Sequence, residues 1–221
     1  YINKTPLIHT TIETAEMIKY AANAFLALKI SYINEVANLC DEIGADINIV
    51  TEALGSDGRI SPKFLHPGPG FGGSCFPKDT KALIHIAKNQ NLDMHTVDAA
   101  IKANNYQKLR MLNKLEILLE GNFNKKKIGI LGLAFKQETD DVRESAAIDM
   151  ISGLIKRGAN IKAYDPVAND SMKKLIPKID YKLNWQSAVE DCDAVVIMTE
   201  WNEFRGMDLS KLKELMFSPI I

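Results

Sequence analysis

Cys75 follows the stretch Gly70-Phe71-Gly72-Gly73-Ser74 and precedes Phe76-Pro77-Lys78-Asp79, so a thiol, an ammonium and a carboxylate fall within five residues of one another. Three glycines in four positions let main chain approach a ligand closely and adopt positive φ. A thiolate, rather than a thiol, is the nucleophile, and nearby cations such as Lys78 favour it. Cys75 is therefore the candidate nucleophile; the competing reading is a buried cysteine packing as a small hydrophobe. Lys19 and Asn23 stand four apart, on a helical face separate from Ile18, Ala22 and Phe25. A lysine beside a carboxamide suits the stabilisation of an oxyanion, although the same pair also fits a solvated face. Asp79 fits two roles, a cap for a helix starting at Thr80 or a group that orients water. Arg59 lies on the glycine-flanked loop Gly55-Ser56-Asp57-Gly58-Arg59-Ile60, where it can reach a phosphate or carboxylate or stay a plain surface arginine.

These residues need elements to hold them. From Thr14 the apolar positions Ala15, Ile18, Ala22, Phe25, Ile30, Ile33, Val36 and Ala37 recur at steps of mostly three and four, with no Pro or Gly before Gly44. That pattern predicts one helix of about thirty residues, some 45 Å long, which is more than a small domain needs and fits a connector or dimer spine. Asp46 to Leu54 reads as a short second helix, 55–73 as a loop dense in Gly and Pro, and Thr80 to Asn89 and His95 to Leu119 as two more helices. Past Lys125-Lys126-Lys127 the pattern changes. Ile128 to Gly132, Ala159 to Tyr164 and Ala194 to Met198 read as strands, with a helix from Ser145 to Arg157 after the first, which predicts βαβ units and a parallel sheet. Lys136 and Arg143 fall after the first of these strands, beyond the carboxyl end where such sheets bind ligands. Gly129 and Gly132 are an incomplete dinucleotide fingerprint, equally read as glycines that permit close helix-to-strand packing.

The chain has 221 residues, 46% hydrophobic and 25% charged, enough for two modest domains. With 27 Lys and Arg against 28 Asp and Glu, no global basic field attracts nucleic acid or an anionic membrane. Cys40, Cys75 and Cys192 are too few and scattered for a disulfide framework, which fits a cytoplasmic protein, and neither they nor the four histidines make a metal-ligand spacing. Met17, Met94, Met111 and Met150 are expected as core filler. No membrane span or signal peptide is read, no Met opens the chain, and the apolar run Pro219-Ile220-Ile221 closes it, so both ends read as cut.

Taken in order, the segment Glu16-Met17-Ile18-Lys19-Tyr20-Ala21-Ala22-Asn23-Ala24-Phe25, the loop from Gly70 to Asp79, Gly132-Leu133-Ala134-Phe135-Lys136 and Asp141-Val142-Arg143-Glu144-Ser145 resemble the UDP-glucose/GDP-mannose dehydrogenase family over nearly the whole chain. The resemblance implies an α/β organisation in three parts. Residues 1–13 would be the end of an NAD-binding domain, 14–120 an all-helical central dimerisation and catalytic domain with one long helix, and 121–221 a Rossmann-like parallel-sheet domain for the UDP-sugar, truncated at its C-terminus. It implies a four-electron, NAD-dependent oxidation of UDP-glucose to UDP-glucuronate through a thiohemiacetal and a thioester on Cys75. In that scheme Lys19 and Asn23 stabilise the oxyanion and position water, and Asp79 partners them in base catalysis. Phe64, Leu65, His66, Pro67, Gly68, Phe71 and Gly72 line the sugar nucleotide, as do Phe135 and Lys136 from the last domain. Arg59 matches an arginine presented to the neighbouring subunit's substrate, and Lys78 and Arg143 match NAD contacts. The partners implied are UDP-glucose and a second copy joined through the long helix. The same chemistry on GDP-mannose or a UDP-N-acetylhexosamine is the alternative within the family, and a non-catalytic nucleotide-binding or dimerisation module the alternative outside it. The family's dinucleotide fingerprint has no counterpart here, so the fragment alone is expected to be inactive.

Overall fold

The computed structural model describes residues 7–221; residues 1–6, at the start of the expected 1–13 segment, lie outside it. The long helix forms as α1, Ile12–Ile43. It starts two residues before the expected Thr14, because the Thr11 side chain accepts from the Thr14 N–H as an N-cap. It ends where Gly44 adopts a left-handed conformation with φ 73°, its N–H returning to the Cys40 carbonyl. The helix α2, Ile47–Ser56, is capped by Asp46. After the loop come α3, Cys75–Asn89, and α4, His95–Leu118, both packed on α1.

The second half of the apolar stripe is buried or half-buried, at Ile30, Ile33, Val36 and Ala37, but the first half, from Ala15 to Phe25, is exposed. Ala24, Ala27 and Ser31 are buried, with Ile33, Asn34 and Cys40, whereas Ile18 and Phe25 are 52% and 61% exposed. Small residues win this face because they let α3 and α4 approach closely. Met17 is exposed too, unlike buried Met150 and the partly buried Met94 and Met111, so it is not core filler.

The second unit is a four-stranded parallel sheet in the order β3-β2-β1-β4, with β1 Lys127–Leu131, β2 Asn160–Tyr164, β3 Asp180–Tyr181 and β4 Ala194–Ile197. Between them run α5 Ala146–Lys156, α6 Asn169–Leu175 and α7 Trp185–Val189, and after β4 come α8 Asn202–Arg205 and α9 Leu209–Leu215. Side chains alternate across the sheet. Ile128, Ile130, Ile161, Ala163, Ala194 and Val196 face one core with α5, while Leu131, Tyr164 and Val195 face a second core with α7 and α9. Helices on both faces of a parallel sheet make this unit Rossmann-like. The closing apolar run adds a parallel bridge from Ile220 to Ala194, on the free side of β4.

The helix α4 belongs to both units. It lies against α1 from Ala100 to Lys114, and its Leu112 and Leu115 enter the core of the sheet. Leu112 fills the space beside Gly153 of α5, where any Cβ would collide with it.

Candidate active site

The expected helix from Thr80 begins five residues early, at Cys75, so Asp79 is not a cap but lies one turn into α3. Pro77 permits this start, since the first-turn N–H that it lacks has no partner within a helix. Cys75 and Asp79 are thus an i,i+4 pair on one face of α3, and Lys19 and Asn23 are an i,i+4 pair on α1. The packing of α1 on α3 brings the two pairs together. Asp79 is fully buried; its Oδ2 accepts from Asn23 Nδ2 at 2.6 Å and lies 3.3 Å from Lys19 Nζ, and its Oδ1 accepts from Lys78 Nζ at 2.7 Å. Burial opposes the charge of Asp79, but Lys78, Asn23 and Lys19 outweigh it and hold the carboxyl below the usual range. In return Asp79 raises the Lys78 ammonium above its ordinary value. Cys75 is exposed, whereas Cys40 and Cys192 are buried. No side chain caps the N-terminus of α3, so its positive end stays open beside Cys75.

The glycines ahead of Cys75 are there for contact. A Cβ on Gly72 would fall on the Glu144 carbonyl, and one on Gly73, where φ is 77°, would come within 2.7 Å of the Phe135 ring. The Gly73 N–H donates to the Arg143 carbonyl at 2.7 Å. The first and second units therefore meet at the thiol's own loop.

Beside that junction opens a cleft of about 670 Å³. Of the residues expected to line it, Phe64, His66, Pro67, Gly68, Phe71, Gly72, Phe135 and Lys136 do so. Leu65 is buried at 3% exposure, so its side chain packs beneath the cleft instead of facing it. Arg59 lies outside the cleft, exposed and paired with Asp57 at 2.6 Å. Phe76 stacks edge-to-face with both Phe64 and Phe71, with ring centroids 6.1 and 5.8 Å apart, and so ties the cleft wall to the residue after Cys75. Lys78 follows Cys75 by three residues on α3, and Arg143, whose carbonyl meets Gly73 of the thiol's loop, is held by Asp141 in a two-point pair at 2.9 and 2.7 Å. Lys78 and Arg143, both exposed, could hold the diphosphate of a dinucleotide.

Several functional positions escape the sequence. Ile197, Met198, Thr199 and Glu200 join the cleft wall at the carboxyl end of β4, where the rule for parallel sheets would have found them. Ile30 and Asn34 continue the face of Asn23 at helical spacing. Carboxamides pin the loop: Asn104 bonds both the N–H and the carbonyl of Phe71, Asn34 accepts from the Gly68 N–H, and Gln107, itself held by Asn38, donates to the Gly68 carbonyl. Polar residues at helical positions resemble a solvated face until the tertiary partner is known.

A helical module carrying an exposed thiol is thus joined to a Rossmann-like sheet across a ligand-sized cleft. The central-domain profile of the UDP-glucose/GDP-mannose dehydrogenase family matches residues 13–106, and that family's UDP binding domain matches residues 129–221. The chain belongs to the UDP-glucose/GDP-mannose dehydrogenase family. It is 45% identical over 221 residues to a UDP-glucose 6-dehydrogenase of Rhizobium meliloti (strain 1021), covering 100% of this chain and 51% of that protein. It is 46% identical over 217 residues to UDP-glucose 6-dehydrogenase TuaD of Bacillus subtilis (strain 168), covering 98% of this chain and 47% of that protein. The chain thus spans about half the length of the curated relatives it matches. Its fold is similar to a UDP-glucose dehydrogenase from the hyperthermophilic archaeon Pyrobaculum islandicum, with TM-score 0.85 and 40% identity over 89% of this chain and 45% of that one. Among the described residues no helix is long and apolar enough to cross a membrane.

Proposed function

We propose that the intact protein oxidises UDP-glucose to UDP-glucuronate, with NAD as the oxidant and Cys75 as the covalent nucleophile. The observation that carries this reading is the convergence of two helical i,i+4 pairs, Lys19 with Asn23 and Cys75 with Asp79, beside a cleft walled by both units. NAD, when bound, takes up the hydride at each of two oxidations of the sugar's C6, alcohol to aldehyde and thiohemiacetal to thioester. Lys78 and Arg143 are the residues of this chain that would hold its diphosphate.

Cys75 Sγ, as thiolate, adds to the aldehyde carbon and forms the C–S bond of the thiohemiacetal. Lys19 supplies positive charge, and the Asn23 amide a fixed donor, to the oxygen that becomes anionic in each tetrahedral species. In the last step water attacks the thioester carbon, the C–S bond breaks, the carboxylate leaves and the thiolate is restored. Asp79, ionised and buried behind them, fixes Lys19 and Asn23 so that they position that water, whose proton passes to solvent. The aromatic and glycine wall from Phe64 to Gly72, with Phe135 and Lys136, holds the sugar nucleotide so that C6 faces Sγ. Higher identity to UDP-glucose dehydrogenases than to the solved UDP-N-acetyl-mannosamine and GDP-mannose dehydrogenases, 40% against 26% and 28%, supports UDP-glucose as the substrate.

The test is NADH formation by the intact protein with UDP-glucose, GDP-mannose and UDP-N-acetylhexosamines in parallel. Turnover with UDP-glucose at least tenfold above the others is expected. A preference for another sugar nucleotide replaces the substrate, and binding without NADH makes the protein a non-catalytic module.

A further inference from the structure

Lys108 is a buried lysine that the chemistry above does not use. It stands on α4 at 6% exposure, next to Gln107 and one turn beyond Asn104, with its stem under Gly70. Its Nζ donates to the main-chain carbonyl of Glu144 at 3.0 Å and lies 3.6 and 3.5 Å from the carboxylates of Glu144 and Asp149. These contacts cross from the first unit to the second. Glu144 itself has φ 52°, a left-handed conformation that a side-chain-bearing residue keeps only when its surroundings hold it. Gly72 rests against the carbonyl of this turn, and Gly73 donates to the carbonyl just before it. From the other side Lys81 of α3, the helix that begins with Cys75, reaches Glu144 Oε1 at 3.3 Å.

We propose that Lys108 is a positioning residue for the thiol: it holds the Glu144 turn against Gly72 and Gly73, and so fixes the loop carrying Cys75 relative to the Phe135–Lys136 wall of the cleft. A lysine does this where a hydrophobe would not. The strained turn presents a carbonyl and a carboxylate that need donors, and an ammonium on a four-carbon stem serves both from inside the junction. The anchor is firm because α4 is packed into both units, meeting α1 from Ala100 to Lys114 and the sheet core through Leu112 and Leu115. Burial opposes the charge of Glu144, yet Lys81 and Lys108 hold its carboxyl below the usual range.

The proposal deepens the reading of Cys75 as nucleophile, and its test has a readout independent of turnover. In the intact protein, Lys108→Met removes the charge at similar volume, and Lys108→Arg keeps it. Hydrogen exchange of the amides of 70–76 and 143–146 is expected to rise about tenfold or more in Lys108→Met, with β1 unchanged, and to stay within about threefold of wild type in Lys108→Arg. In NADH assays kcat is expected to fall at least about tenfold in Lys108→Met with KM within about threefold, and the arginine variant recovers most of it. Unchanged exchange at 70–76, or a rise uniform across the chain, overturns the proposal. Raised local exchange in a protein that makes no NADH with any sugar nucleotide upholds the clamp and removes the catalytic reading instead. If Lys108→Met does not fold, Glu144→Gln, at a half-exposed side chain, takes the anion from between Lys81 and Lys108. It is expected to raise exchange at 70–76 about threefold or more, and no change there contradicts the clamp.

Discussion

Asp79 ties the proposed catalysis to folding at the scale of one residue, because its carboxylate is enclosed with two lysines and an asparagine. Its carboxyl titrates lower in the folded chain than the ordinary value of about 3.9 that the unfolded chain retains. The folded state therefore binds fewer protons in that range, so the stabilisation is present above about pH 4 and is lost as pH falls through the folded value. Thermal unfolding followed against pH should show a shallower acid limb in Asp79→Asn than in wild type; parallel curves would mean that the carboxylate is not held in this way. Lys19→Ala should lower kcat of the intact enzyme by about 10²-fold, as the loss of an oxyanion partner does. A change confined to KM would instead make Lys19 a binding residue.

At the scale of elements, the loop between α2 and α3 decides where the thiol lies. Gly72→Ala must displace the Glu144 carbonyl and Gly73→Ala adds strain at φ 77° beside the Phe135 ring, whereas a Cβ on Gly68 meets nothing within 4 Å. Chemical denaturation should show losses of about 2 kcal/mol or more for the first two and within about 0.5 kcal/mol for Gly68→Ala. Equal effects at the three positions would refute the close approach of the two units. Much of this was legible beforehand. The periodicity from Thr14 and the glycine at 44 predict α1, and the apolar run from Ile128 ended by Gly132 predicts β1, because each needs only local chemistry. The start of α3 was misread because Ser74 to Pro77 has loop composition, though a first-turn proline costs a helix nothing. Tertiary choices stayed hidden. Which face of α1 is buried depends on Ala24 and Ala27 meeting other helices, and Asn104, Gln107 and Lys108 acquire meaning only when the loop folds onto them.

For the whole molecule, Ile18, Phe25, Tyr32 and Leu39 recur every seven residues as a stripe along α1, between 52% and 61% exposed. Such a stripe fits a second copy of the same helix, and we propose a twofold dimer that brings Arg59 of one protomer toward its partner's cleft. Sedimentation should show a dimer for the wild-type chain and a monomer for Phe25→Asp with Leu39→Asp; a wild-type monomer would dismiss this interface. Calorimetry on the chain should find weak binding of UDP-glucose and none measurable of NAD, since the cleft is within it while, on the proposed reading, Lys78 and Arg143 alone among the described residues would hold the dinucleotide. The covalent route through Cys75 is tested most directly by counting NADH made per UDP-glucose consumed in the intact protein, beside its Cys75→Ser variant. Two NADH per UDP-glucuronate released by wild type, and no acid released by the serine variant despite retained UDP binding, are the results predicted. Acid release by Cys75→Ser at the wild-type rate would contradict the account.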